Sequence, residues 1–279
     1  MNRFVHGLLA LIIAIGSMPF STGHAVENVT YTFGVIPQFD TRQTLAIWEP
    51  LLAELEERTG LNFQLQGSSN IQKFEAAFMD GDFDFAYMNP YQVLKASKSQ
   101  GYVPMVRDIG RSLSGVLVVR KDGTVKDIAD LAGKQIAFPA PNALGATLVV
   151  RTDLKHIYNI DVVPVYVKSH SSVYLNVVMG EADAGGGVQK TLSQQPLSVR
   201  GNLRVIYKTR DITPHPVTAH SRVPASVRES VRLALLAFGE SKKGQALLSA
   251  VPINKIGDTS IGDYKQLGEW GLDEFYVSH

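Results

Sequence analysis

Hydrophobic positions along this chain change period repeatedly, and each change marks an element. Between Asp82 and Tyr87 acids alternate with aromatics, which sets Phe83, Phe85 and Tyr87 on one face of a strand. The alternation breaks at Asn89-Pro90-Tyr91, and helix-compatible residues follow. Upstream, "YTFGVIP" (31–37) and "NFQLQGSS" (62–69) read as strands. "TLAIWEPLLAELEERTG" (44–60) and "IQKFEAAFMDG" (71–81) read as helices closed by Gly60 and Gly81.

The second half repeats the plan. Strands are expected at "KQIAFPAP" (134–141), "DVVPVYVKSHS" (161–171) and "EADAGGGV" (181–188), with helices at "ATLVVRTDLKHIY" (146–158) and "SVYLNVVMG" (172–180). The register is tightest where Gly81-Asp82-Phe83-Asp84 parallels Gly180-Glu181-Ala182-Asp183. Repeated strand–helix–strand steps build a parallel sheet covered by helices, so the chain is expected to be an α/β protein of two lobes. Beyond Leu203, "LRVIYKTRDI" and "HPVTAHSRVP" read as strands around the turn "TPHP", with two helices after them. With "LSGVLVVRKDG" they suggest a two-segment hinge, crossing near residues 113–120 and 204–212.

At the N-terminus, "MNRF", the apolar run "GLLALIIAIG" and the small residues of "GHA" form an export leader with a cut expected after Ala25. The expected division is therefore a signal peptide over 1–25, a first lobe over 26–115, a second over 116–207 and a return to the first over 208–279. The 279 residues contain no cysteine, which excludes disulfides, thiolate metal sites and cysteine nucleophiles. Charge is balanced, 27 basic against 26 acidic residues, and one of the basic residues, Arg3, lies in the leader. That balance argues against a nucleic-acid partner and against an anionic membrane surface.

The leader, "GVIPQFDTRQTLAIWEPLLAEL", "DFDFAYMNPY", "GVLVVRKDGTVKDIADLAGKQIAFPAPNALGATLVVRTDL" and "PHPVTAHSRVP" together resemble the phosphate/phosphite/phosphonate-binding proteins of ABC transporters. The resemblance covers nearly the whole mature chain. It implies a type II periplasmic binding protein fold, two lobes that close on a small ligand, and a membrane permease as partner. It also implies a periplasmic location and a protein that is monomeric and not membrane-embedded once the leader is cut.

In open α/β sheets ligands bind beyond the carboxyl ends of the strands. The loops expected there are 38–44, 67–70 and 87–91 from the first half, and 141–147, 169–172 and 185–189 from the second. The candidate ligand contacts are Phe39, Asp40, Tyr87, Asn89 and Tyr91 on one side. On the other they are Asn142, Ala143, Gly145, Thr147, His170, Ser171 and Gly186. Asn142 is expected to cap the helix that follows, whose free N–H groups would face an anion. In the relatives that position is a hydroxyl-rich Ser-Thr-Ser run, and a histidine at the place of His170 contacts the oxyanion. Here only Thr147 keeps a hydroxyl. The glycines 185–187 suit close backbone approach at the cleft floor, or freedom near the hinge. His215 and His220, near the hinge turn, read as structural.

No dinucleotide loop, nucleophile elbow or His-Glu-x-x-His motif occurs, so no enzyme, cofactor or metal is expected. An oxyanion is the default ligand. Loss of the hydroxyl run, with Phe39 and Leu144 nearby, leaves open a larger or apolar ligand such as a lipid or sterol. A sensory partner of a membrane histidine kinase is a third reading.

Overall fold

The structure, a computed structural model, describes Met1 and residues 29–251 and 253–278. Apart from Met1, the expected leader lies outside the described residues. The first run is β1 (Thr30–Val35), α1 (Thr41–Thr59), β2 (Asn62–Gly67), α2 (Ile71–Met79), β3 (Phe85–Tyr87), α3 (Pro90–Gln100) and β4 (Val103–Asp108). Asp40, Asn70 and Asn89 cap α1, α2 and α3 by accepting the N–H three residues on. At Asn89 the cap is reciprocal, because Gln92 accepts the Asn89 N–H in return.

The second run is β5 (Gly115–Arg120), β6 (Gln135–Phe138), α4 (Val149–His156), β7 (Val163–Tyr166), α5 (His170–Met179), β8 (Ala184–Val188), α6 (Gln189–Ser193), α7 (Leu197–Arg200) and β9 (Leu203–Lys208). A π-helical turn, Leu144–Leu148, leads into α4. The chain then returns through β10 (Pro216–Ala219), α8 (Ala225–Phe238), α9 (Lys242–Ala250) and β11 (Ile256–Asp258).

Two sheets result. One has the order β2-β1-β3-β10-β4-β11, the other β7-β6-β8-β5-β9. β1 lies between β2 and β3 in the first and β6 between β7 and β8 in the second, all parallel. The next strand in is antiparallel and comes from the far side of the chain. β10, made after the second lobe, fills the place between β3 and β4, and β5, made after the first lobe, fills that between β8 and β9.

The repeated Gly-acid-x-Asp has one structural job in both halves. Asp84 Oδ2 accepts the Thr32 N–H at 2.9 Å while the Asp84 N–H donates to the Thr32 carbonyl. Asp183 Oδ2 accepts the Gln135 N–H at 3.0 Å while its own N–H donates to the Gln135 carbonyl. Each aspartate ties the approach to a third strand onto the central first strand. Gly81 and Gly180, at φ 77° and 79°, make the left-handed turn that brings the chain there.

The crossings differ from expectation in position. Residues 113–120 and 204–212 fall largely in β5 and β9, and the stretches that pass between the sheets are 109–114 and 209–215. They pair with each other at one point, Leu113 with Ile212, through two backbone bonds of 2.8 and 2.9 Å. The lobes also share a core. Ala143, Leu144, Ala146, Leu148 and Val149 of the second lobe belong to the same buried cluster as Trp48, Phe74 and Phe85 of the first.

Candidate functional site

A cavity of about 290 Å³ lies where the lobes meet the crossings. The first lobe contributes Gln38, Phe39 and Tyr87, the crossings Arg111 to Ser114 and Pro214-His215, and the second lobe Val188 to Thr191. The residues from the two lobes lie at or just beyond the carboxyl ends of β1, β3 and β8, as an α/β ligand cleft requires. Part of the lining is apolar or aromatic: Phe39, Tyr87, Leu113, Val188 and Pro214. Behind Tyr87 the rings continue. Its ring stacks on His215 with centroids 5.4 Å apart, and Trp48 sits 5.0 Å from its other side.

Another part is charged. Arg111, Lys190 and Lys208 reach the cavity, against one carboxylate, Asp108. Asp108 is buried and its oxygens are already taken. They accept the N–H groups of Gly110, Asn254 and Lys255 and the Arg111 Nε–H. Lys208 faces Asp211 at 3.9 Å, both well exposed, an arrangement worth little. Lys190 makes no ion pair with a carboxylate among the described residues. Its pKa is lowered, first by partial burial and then by the Arg111 charge, and the opposite charge of an anion placed here would offset both.

His215 is neutral. Burial lowers its pKa to about 3, with His170 adding to the effect. Gln38 Nε2 donates to its Nε2 at 3.2 Å, which fits the neutral ring. His170, at the start of α5, is lowered to about 4 by burial, and its Nδ1 has no hydrogen-bond partner among the described residues.

Of the residues singled out in the sequence, Phe39 and Tyr87 line the cavity. The others do not, and most have another task. Asp40 is exposed and caps α1. Asn89 caps α3 and donates from Nδ2 to the Asn142 carbonyl at 3.3 Å, across the lobes. The Tyr91 hydroxyl donates to Asp273 Oδ1 at 2.6 Å. Asn142 does not cap the helix after it; Ala143 stands at that cap, without a side-chain bond. The Asn142 side chain turns instead to Glu75 and Val277. Ala143 is packed in the shared core. The Gly145 carbonyl crowds Gly115, where a Cβ would come within 1.9 Å of it. Thr147 Oγ1 donates to the Ala140 carbonyl. Ser171 is exposed and accepts from Gln195. Gly186 lies in β8 with its face filled by the Ala146 carbonyl and the Phe138 ring. The triple glycine therefore serves close packing of its own lobe.

The sequence reading overlooked Arg111, Lys190 and Lys208, and took His215 for a structural residue. The one signal for Lys190 was its place, directly after the loop 185–189 expected to face the cleft. Among the described residues no group of three His, Asp or Glu could hold a metal ion, and no helix is long and apolar enough to cross a membrane.

Residues 33–264 match the model of a family described as ABC transporter, phosphonate, periplasmic substrate-binding protein. The chain belongs to this family. A phosphate-import protein, PhnD, of Mycolicibacterium smegmatis is 22% identical over 229 residues, covering 72% of this chain and 70% of that protein. The structure of a binding protein component of an ABC phosphonate transporter from Pseudomonas aeruginosa superimposes with a TM-score of 0.80 at 15% identity. It covers 89% of this chain and 87% of that one. PhnD1 from Prochlorococcus marinus, in complex with methylphosphonate, also gives 0.80 at 15% identity, over 89% and 99% of the two chains. At such identities the likeness carries the fold, which is that of the type II periplasmic binding proteins.

Proposed function

We propose that this protein is a periplasmic receptor that captures a small phosphonate- or phosphate-type oxyanion between its lobes and presents it to the membrane permease of an ABC transporter. The observation that carries the reading is the cavity at the crossings, with three cationic side chains against one carboxylate that is already satisfied. Contacts from both lobes favour the closed form, because the ligand meets them together only there. The receptor binds its ligand without transforming it, acts as a monomer, and is released after cleavage near Ala25. Phe39 and Tyr87 touch the ligand, together with Lys190 and Arg111. At about 290 Å³ the space suits a small solute better than a sterol or lipid.

The test is a thermal-shift series on the exported, purified protein with phosphate, methylphosphonate, a sterol and a phospholipid. Tryptophan fluorescence serves as a second readout, since Trp48, one of the two tryptophans, packs against Tyr87. A rise in Tm with either oxyanion is expected. A rise with the sterol or phospholipid alone would reject the reading.

A further inference from the structure

We propose that Lys190 and Phe39 divide the ligand between them, so that the cavity selects phosphonates carrying an uncharged, apolar substituent. This rests on the receptor reading above and names the substrate class for the same site. Three observations on the cavity lead to it.

The first is size. At roughly 30 Å³ per water in the liquid, a space of about 290 Å³ holds about ten waters. A bare phosphate would leave most of that volume wet. The second is charge. In the lining Arg111, Lys190 and Lys208 stand against Asp108, and His215 is neutral; Asp211, outside the lining, faces Lys208 at 3.9 Å, so the excess lies between one and two positive charges. One phosphonate anion balances it. A substituent bearing an ammonium group would then enter a cavity whose positive field has no spare carboxylate to receive it, because Asp108 is spent on three backbone N–H groups and on Arg111. The third is surface. Phe39, Tyr87, Leu113 and Pro214 give the same space apolar lining. Filled with water, that surface gains nothing; covered by an alkyl or aryl group, it contributes to binding.

Lys190 is the natural anchor for the oxyanion. It comes from the second lobe, is partly desolvated, and has no carboxylate partner among the described residues. Phe39 comes from the first lobe, between β1 and α1. A ligand that spans from one to the other thus touches both lobes.

Calorimetry on the exported protein with inorganic phosphate, methylphosphonate, phenylphosphonate and 2-aminoethylphosphonate tests this. Phenylphosphonate is expected to bind at least about tenfold more tightly than phosphate or methylphosphonate, and the aminoethyl compound most weakly. Phe39→Ala should weaken phenylphosphonate much more than methylphosphonate, cutting the phenyl advantage to about twofold or less. Lys190→Gln, which removes the charge and shortens the side chain by one atom, should weaken every oxyanion about tenfold or more. Both variants should keep the parent's circular-dichroism spectrum. If methylphosphonate or phosphate equals phenylphosphonate, or the aminoethyl compound binds best, the substrate class is wrong and the receptor reading stands. If Lys190→Gln binds like the parent, the anchor is wrong. If none of the four binds, both readings fall.

Discussion

Asn142 of the second lobe donates from its side-chain amide to Glu75 of the first at 2.7 Å, and both residues are buried. The same amide donates to the Val277 carbonyl at 2.8 Å, and Asn142 Oδ1 accepts the Val277 N–H at 2.9 Å. One side chain thus ties the second lobe to α2 and to the chain's last turn. Asn142→Leu keeps the volume and removes these bonds. A buried hydrogen-bonding group that loses its partner costs about 1–3 kcal/mol, so a loss of about 3 kcal/mol overall is expected. Melting should fall by several degrees, and small-angle scattering of the unliganded protein should shift toward a more open form. A variant as stable and as compact as the parent would contradict this.

Stability should also fall on mild acidification. The folded-state values of His170 and His215, about 4 and about 3, lie below the 6.5 of an unfolded histidine. The unfolded chain therefore binds more protons once the pH drops below about 6.5, and stability present above that pH is lost progressively as it falls toward 4. By pH 5 each histidine should account for about 2 kcal/mol. Melting curves from pH 7.5 to 4.5 measure the slope. Replacing both histidines by glutamine should flatten it, and an unchanged slope in the double variant would assign the effect elsewhere.

Gly186→Ala should be among the most damaging single methyl additions. Its Cβ would lie 2.1 Å from the Ala146 carbonyl and 2.5 Å from the Phe138 ring, neither of which can withdraw without moving the π-helical turn or β6. Gly268→Ala provides the control, since its Cβ meets nothing within 4 Å. Overpacking of this kind typically costs about 1–3 kcal/mol. Urea titration should show a lower midpoint for Gly186→Ala and little change for Gly268→Ala.

The two aspartates of the repeat can be weighed against each other. Asp84→Ala and Asp183→Ala each remove the acceptor of a backbone N–H in a central strand, at Thr32 and Gln135. Each should cost about 1–2 kcal/mol. Asp84 also pairs with Arg222 at 2.8 Å, closer than the 3.9 Å between Asp183 and Lys134, so its loss should be the greater of the two and the more sensitive to salt. Equal losses at all salt concentrations would deny the ion pair any part.

That repeat shows what a sequence can disclose. Gly-acid-x-Asp was legible because its work is done by neighbouring elements in a fixed order, and the same spacing recurs. The two-lobed plan followed from it. Asn142 was misread as a helix cap because capping is local, whereas its actual partners, Glu75 and Val277, lie far away in sequence. Arg111, Lys190 and Lys208 escaped notice for a similar reason. They belong to a crossing, a single helical turn and a strand end, carry no shared spacing, and meet only because the sheets bring them together. Tyr87 was found because strand alternation leads directly to it.

The insertion of β10 between β3 and β4 also governs when the molecule can assemble. A chain emerging from its N-terminus offers β1 to β4 early, yet β3 and β4 have no bonds to each other and wait for Pro216–Ala219 to bridge them. More than a hundred residues, including the whole second lobe, must appear first. Pairings so distant along the chain form slowly. The late arrival of one four-residue segment therefore acts as a timer, keeping the first lobe incomplete until most of the polypeptide is available.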